Sequence, residues 1–131
     1  VLPALIRRFH EAKINNVPSV TLWGSGSPMR EFLYVDDLVS ACLHLMETYN
    51  EGEIVNIGTG EDITIKELAE TIQEVVGYKG KTEWDITKPD GTPRKLLDVS
   101  KLHALGFYHT TGLKDGIVST YNWYLENNAI Q

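Results

Sequence analysis

Between Trp23 and Asp37 the chain changes backbone habit three times. A β-prone run ending at Trp23 meets the turn Gly24-Ser25-Gly26, continues through Ser27-Pro28-Met29-Arg30 into a second β-prone run, Glu31–Val35, and reaches the acidic pair Asp36-Asp37, which opens a helical pattern. Glycine has no Cβ and tolerates positive φ, so the turn lets backbone come close to another group. Trp23 on one side offers a flat apolar face, and Arg30 on the other a planar fork of donors suited to phosphate. Strand, turn, strand and helix in such quick succession restrict the chain to a mixed α/β class.

The rest of the sequence keeps this alternation. Leu2, Leu5, Ile6 and Phe9 fall at helical spacing, so a helix is expected over residues 2–16, with Pro3 in its first turn and Asn15, Asn16 and Pro18 ending it. Val20–Trp23, Glu31–Val35, Glu53–Ile57 and Lys81–Asp85 read as strands. Asp36 is expected to cap a helix whose inner face carries Leu38, Ala41, Cys42, Leu45, Met46 and Tyr49. Thr64 and Glu67 have capping-box spacing ahead of a helix with Ile65, Leu68, Ala69, Ile72, Val75 and Val76 on one face, stopped by Gly77. Residues 87–94 form a loop rich in proline and glycine, followed by helices near 100–105 and 113–127. Without repeats or low-complexity stretches, the expectation is one small mixed domain of helices and short strands over residues 1–131.

At 131 residues and 42% hydrophobic content, a chain of this size can bury a real core. One cysteine excludes an internal disulfide framework and fits a reducing compartment. No apolar run approaches the roughly 20 residues of a membrane-spanning helix. Arg7, Arg8, His10 and Glu11 interrupt the apolar start, so it does not read as a signal peptide. The opening Val1-Leu2-Pro3, already at a helix threshold, reads as part of a longer protein. A net charge of −6 argues against general nucleic-acid affinity. The arginines are few, at positions 7, 8, 30 and 94, and a small dianion would need some of them together.

Groups able to carry chemistry are scarce. None of the six tyrosines has a lysine four residues on, and His10, His44, His103 and His109 show no metal-ligand spacing with one another or with Cys42. Cys42, between Leu38 and Met46, reads as core rather than nucleophile. Asp36-Asp37 sits where a helix N-terminus stabilises negative charge by about 0.3–1 kcal/mol, so capping accounts for the pair better than acid–base work. Gly58-Thr59-Gly60 follows a β-prone run and precedes a helix, but Ile63 stands where a dinucleotide fingerprint needs its third glycine. Plain turn chemistry is the expectation there. No catalytic, cofactor-binding or metal-binding residue is expected in the chain; its residues point to binding.

Two stretches are specific enough to resemble a known family. Trp-Gly-Ser-Gly-Ser-Pro-Met-Arg at 23–30 and Lys-Pro-Asp-Gly-Thr-Pro-Arg-Lys-Leu-Leu-Asp-Val at 88–99 are similar to segments of the GDP-L-fucose synthases, a branch of the extended short-chain dehydrogenase/reductases. Arg-Glu-Phe-Leu-Tyr-Val-Asp-Asp at 30–37 and Asn-Ile-Gly-Thr-Gly at 56–60 are shared more widely, among nucleotide-sugar epimerases and dehydratases. The resemblance covers essentially the whole chain; the short connection Glu51-Gly52-Glu53, where some relatives have a longer insertion, is its one departure. It implies the C-terminal, substrate-binding part of such an enzyme, without the Rossmann half.

By that resemblance Arg8, Trp23, Arg30 and Asp90 occupy substrate-contacting positions, with Lys95 a further candidate. Arg8 and Arg30 would clamp the pyrophosphate of a GDP-sugar, Trp23 would cover base or ribose, and Asp90 would accept from the guanine edge or a ribose hydroxyl. Ser25, Ser27 and Thr92 would support them, the two glycine-marked loops forming opposite lips of a cleft. Read without the resemblance, Arg8 could be a solvated helix residue, Trp23 a core plug at a strand end, and Asp90 a turn former. The resemblance further implies a cytoplasmic, homodimeric parent enzyme that epimerises GDP-4-keto-6-deoxymannose with a Cys/His pair and reduces it with NADPH. The cofactor and both steps would belong to the missing N-terminal half, and a catalytic histidine would directly precede Val1. Helix faces that normally meet that half would be left partly bare and prone to self-association. Another NAD-dependent nucleotide-sugar epimerase or dehydratase, a non-catalytic nucleotide-binding module, and a structural domain that binds nothing remain as other readings.

Overall fold

A computed structural model describes residues 1–128; positions 129–131 of the expected domain lie outside the described residues. The elements in chain order are α1 (Leu2–Ile14), β1 (Ser19–Trp23), β2 (Met29–Glu31), α2 (Val35–Thr48), β3 (Asp62–Thr64), α3 (Ile65–Val76), β4 (Lys81–Asp85), β5 (Arg94–Lys95), α4 (Ser100–Ala104) and α5 (Leu113–Asn128). This is the small α/β domain the sequence implied.

The strands form two small sheets. β1 runs parallel to β4, from Ser19 opposite Lys81 to Trp23 opposite Asp85. A parallel pair needs a long crossover, and the one from β1 to β4 contains both α2 and α3. In the second sheet β2 lies between β3, antiparallel, and β5, parallel, so Arg30 sits opposite both Ile63 and Lys95. Arg94 of β5 reaches across to Asp62 of β3 with a two-pronged bond, Nε at 2.6 Å and Nη2 at 3.2 Å, fastening the outer strands around Arg30.

The core lies where α1, α3 and α5 meet β1. Leu5, Ile6, Phe9 and Ala12 from α1 face Leu68, Ala69, Ile72 and Val76 from α3, with Val20, Leu22, Tyr78, Ile117 and Tyr121 completing it. These are the helical spacings of the sequence, one stripe per helix. α3 starts and stops where its caps say. Thr64 Oγ1 accepts from the Glu67 amide at 3.1 Å, Glu67 Oε2 accepts from the Thr64 amide at 2.9 Å, and Gly77 takes φ 73° at the end. α1 stops at Ile14, two residues short of expectation, as Asn16 turns into the left-handed region at φ 52°.

Three expectations for residues 31–57 are corrected. β2 occupies 29–31, not 31–35, because the backbone has entered α2 by Val35. The N-cap of α2 is Tyr34, without a side-chain bond, rather than Asp36, and Asp37 is buried and bonded elsewhere. Only Asp37 and Ala41 of α2 are buried, whereas Leu38 and Met46 are exposed, and so is Cys42. The period was right and the direction wrong, since α2 carries a second apolar stripe that faces away from the core. Residues 53–57 form no strand, for a β-prone run becomes one only beside a partner, and among the described residues none pairs with it.

Candidate functional site

The N-terminal turns of α1, the end of β1, the turn at 24–28 and the stretch from Trp84 to Asp90 enclose a half-open cavity of about 270 Å³. Arg8, Trp23, Arg30 and Asp90 all line it. They arrive from four separate segments, and each is placed by local structure.

Arg8 lies one residue before the buried Phe9, near the middle of α1, and its Nη1 donates to the Thr21 carbonyl of β1 at 3.1 Å. Arg30, in the middle strand of the second sheet, donates from Nη1 to the Met29 carbonyl at 2.6 Å. Neither makes an ion pair among the described residues, whereas Arg7 faces Glu11 at 3.7 Å and Arg94 holds Asp62 at 2.6 Å. Two arginines are thus occupied by carboxylates and two reach a common cavity with guanidinium donors to spare. In an acidic chain that concentrates positive charge at one place. Arg8 is therefore more than a solvated helix residue.

Trp23 is 70% exposed, so it does not plug the core. Lys88 Nζ, which does not itself line the cavity, stands 5.5 Å from the centre of its ring in a cation–π contact. Beneath them, Trp84 of β4 and Ile65 at the start of α3 add apolar wall. Gly26 has φ 78°, and a Cβ there would come within 2.8 Å of the Trp84 ring. Only glycine fits so close to the indole.

Asp90 joins the two lips. Its Oδ1 accepts the Ser25 amide at 2.6 Å and its Oδ2 the Ser25 hydroxyl at 2.7 Å, with Ser27 Oγ 2.7 Å from Ser25 Oγ. The Ser25 amide, then its hydroxyl, hold the Asp90 carboxyl below the usual carboxylate range. Gly24, at φ 85°, passes so near this carboxylate that a Cβ would overlap it. Lys95 pairs with Arg30 across β2 and β5 but is exposed and does not line the cavity. Thr92 does not line it either.

No local sequence signal marks Trp84 and Ile65 as cavity residues or Lys88 as a partner of Trp23. Trp84 was visible only as a β-prone residue; its inward side is set by the β1–β4 register, which no local signal carries. Lys88 stood within the specific 88–99 stretch but needed Trp23 as a neighbour to acquire a role.

The Gly58-Thr59-Gly60 turn is filled from within. Glu31 Oε1 accepts the Gly60 amide at 2.6 Å and the Thr59 hydroxyl at 3.3 Å, and its Oε2 accepts the Leu97 amide at 3.1 Å. The donors that a cofactor pyrophosphate would require at this turn already serve a carboxylate, so these residues do not fit that group. Among the described residues no cluster of three His, Cys, Asp or Glu could hold a metal ion. No helix among them is long and apolar enough to cross a membrane.

The chain is similar to known proteins over nearly its whole length. The model of the NAD dependent epimerase/dehydratase family matches residues 1–58. A putative GDP-L-fucose synthase 2 of Arabidopsis thaliana is 65% identical over 127 residues, spanning 97% of this chain and 39% of the relative. GDP-L-fucose synthase of Escherichia coli K12 is 57% identical over 136 residues, spanning 97% of this chain and 42% of the relative. Among solved structures, a GDP-L-fucose synthetase from Naegleria fowleri bound to NADP superposes with a TM-score of 0.92 at 30% identity, covering 98% of this chain and 41% of that one. Nearly the whole chain is thus similar to part of these enzymes, and its first 58 residues match the NAD dependent epimerase/dehydratase family. Within that family its sequence groups with the GDP-L-fucose synthases. It spans about two fifths of the length of these curated relatives.

Proposed function

We propose that the chain, residues 1–131, is the nucleotide-sugar-binding part of an enzyme that converts GDP-4-keto-6-deoxymannose to GDP-L-fucose by epimerisation and NADPH-dependent reduction. One observation carries the reading: Arg8 and Arg30, without carboxylate partners among the described residues, share a cavity with the exposed indole of Trp23. Two guanidinium forks beside an aromatic face match a diphosphate linked to a base. Trp23 stacks on the guanosine, Asp90 sets the lip against which base or ribose rests, and Lys95, on the strand beside Arg30, serves at longer range. Fixing the nucleotide fixes the sugar relative to the reacting groups, which lowers the entropic part of the barrier.

NADP, the epimerising Cys/His pair and the proton-transfer residues belong in this reading to a preceding cofactor-binding half. The whole enzyme is cytoplasmic and homodimeric, and the chain alone neither binds NADPH nor turns over. Calorimetry of the chain with GDP, UDP and NADPH tests this. GDP binding with no heat from NADPH is expected. Equal preference for UDP would move the assignment to another nucleotide-sugar epimerase or dehydratase, and silence with all three would sink it.

A further inference from the structure

Arg30 lines a second, smaller cavity besides the one already described. It lies between β2 and the residues that lead into α5, and its volume is about 90 Å³. That is about three times the roughly 30 Å³ that a water molecule takes up in the liquid, room for a group of a few heavy atoms but not for a nucleobase. Because Arg30 belongs to both cavities, its planar fork can serve two neighbouring anionic groups, one on each side.

Several polar groups around this cavity are already engaged. The Thr59 hydroxyl is held by Glu31 Oε1 at 3.3 Å and by the Glu61 carbonyl at 3.0 Å, and the Thr111 amide donates to Asp37 at 2.9 Å. Two side chains are not. Arg30 commits only Nη1, to the Met29 carbonyl, of its five donors. Half-buried His109 makes no hydrogen bond, ion pair or ring contact among the described residues, although its imidazole carries at least one N–H to donate. A donor so placed takes water or a ligand. Among the described residues Glu61 is the one carboxylate in the lining, and it is exposed.

We propose that His109 is a further substrate-contacting residue: the cavity it shares with Arg30 takes the outer phosphate of a nucleoside diphosphate, the one that carries the sugar. The base and the inner phosphate stay in the larger cavity with Trp23 and Arg8. Thr111 and Phe32 also line a third cavity, of about 220 Å³ beside Leu2 and Tyr34, which gives the sugar a place to follow. This rests on the proposed function in taking a nucleoside diphosphate as the ligand. It goes further in naming a second donor and the course of the diphosphate past Arg30.

Calorimetry of the chain with GMP, GDP and inorganic pyrophosphate tests this. His109→Phe keeps a ring but loses the donor; it should weaken GDP at least about fivefold and leave GMP within about twofold. His109→Gln, which keeps a donor, should recover most of that loss. Glu61→Gln removes the carboxylate of the lining and should tighten GDP about two- to threefold, with GMP unchanged. Should His109→Phe fail to fold, Glu61→Gln decides by itself. A His109 that only supports the fold would instead lower the melting temperature and shift GMP and GDP alike. Equal losses for the two nucleotides, or a GDP affinity indifferent to both positions, would overturn the proposal and leave the nucleotide reading intact. Pyrophosphate binding that depends on His109, with no binding of GDP, would sink that reading and leave the anion site standing. Silence of the unsubstituted chain with all three ligands would overturn both.

Discussion

Asp90 holds Ser25 twice, through the backbone amide and through the hydroxyl, across a separation of 65 residues. The loop after β4 and the turn after β1 are thereby one closed rim, with Trp23 and Lys88 on it. Asp90→Asn removes the charge and leaves one accepting oxygen where the carboxylate offers two. GDP affinity should fall by about tenfold, the size of one lost charge-assisted bond. Because Ser25 holds the carboxyl below its ordinary range, wild-type affinity should persist through mildly acid pH and weaken only as pH falls through that depressed value. Calorimetry of both proteins over a pH series checks this, and unchanged affinity in Asp90→Asn would remove the rim from the account.

Asp37 performs a comparable task inside the molecule. It is 4% exposed and accepts the Thr110 amide at 3.1 Å, the Thr110 hydroxyl at 2.9 Å and the Thr111 amide at 2.9 Å. Burial raises its pKa, but bonds from Thr111 and Thr110 outweigh that, so the folded value lies below the unfolded one. The sign follows: the contribution to stability is complete above the unfolded pKa of about 3.9 and is lost as pH falls through the folded value. Asp37→Asn should cost about 1–3 kcal/mol near neutral pH, and the gap to wild type should close in acid. Urea unfolding at several pH values measures it; equal midpoints at pH 7 would contradict it.

How much of this was legible depends on how far away each partner stands. α3 could be read to the residue, because the Thr64–Glu67 box and Gly77 are local signals. Asp37 could not be told from Asp36 beside it, since its partners lie 73 and 74 residues on. The β-pattern at 53–57 was visible, but a ladder needs a second strand. In α2 the apolar period was plain, yet a helix with apolar residues on two sides does not reveal which side meets the core. Trp23 and Arg30 stand out locally beside the glycine turn, whereas Arg8 and Asp90 came from resemblance, and nothing local distinguished Arg8 from Arg7. Their shared cavity is a product of the β1–β4 register and of where α1 crosses it.

Phe9 sets the strength of that crossing. It is fully buried, with the Tyr78 ring centre 5.7 Å away, between α1 and α3. Phe9→Ala should lose about 3–5 kcal/mol through lost burial and the cavity left behind, whereas Phe9→Leu should lose much less. Arg8 is the next residue, so the larger loss should loosen the cavity wall and weaken GDP binding even where the chain remains folded. Urea midpoints paired with calorimetry would show it, and a Phe9→Ala protein as stable as wild type would refute the assigned core.

Arg30 and Arg94 stand near each other in the second sheet and differ in what they hold. Arg94 grips Asp62 with two prongs, and Asp62 is nearly buried, with its side chain 6% exposed. Among the described residues the Arg30 side chain bonds only a neighbouring carbonyl, and it lines the cavity. If charge at the cavity binds a diphosphate, the two substitutions must separate. Arg30→Ala should weaken GDP by about 1.5–3 kcal/mol, roughly 10- to 150-fold, with little change in melting temperature. Arg94→Ala should lower the melting temperature and leave Kd for GDP within about twofold, because the sheet order rather than the cavity depends on it. Calorimetry and thermal unfolding of the two variants side by side decide the matter. A GDP affinity indifferent to Arg30 would mean that the cavity holds its ligand, if it holds one, by something other than its guanidinium groups.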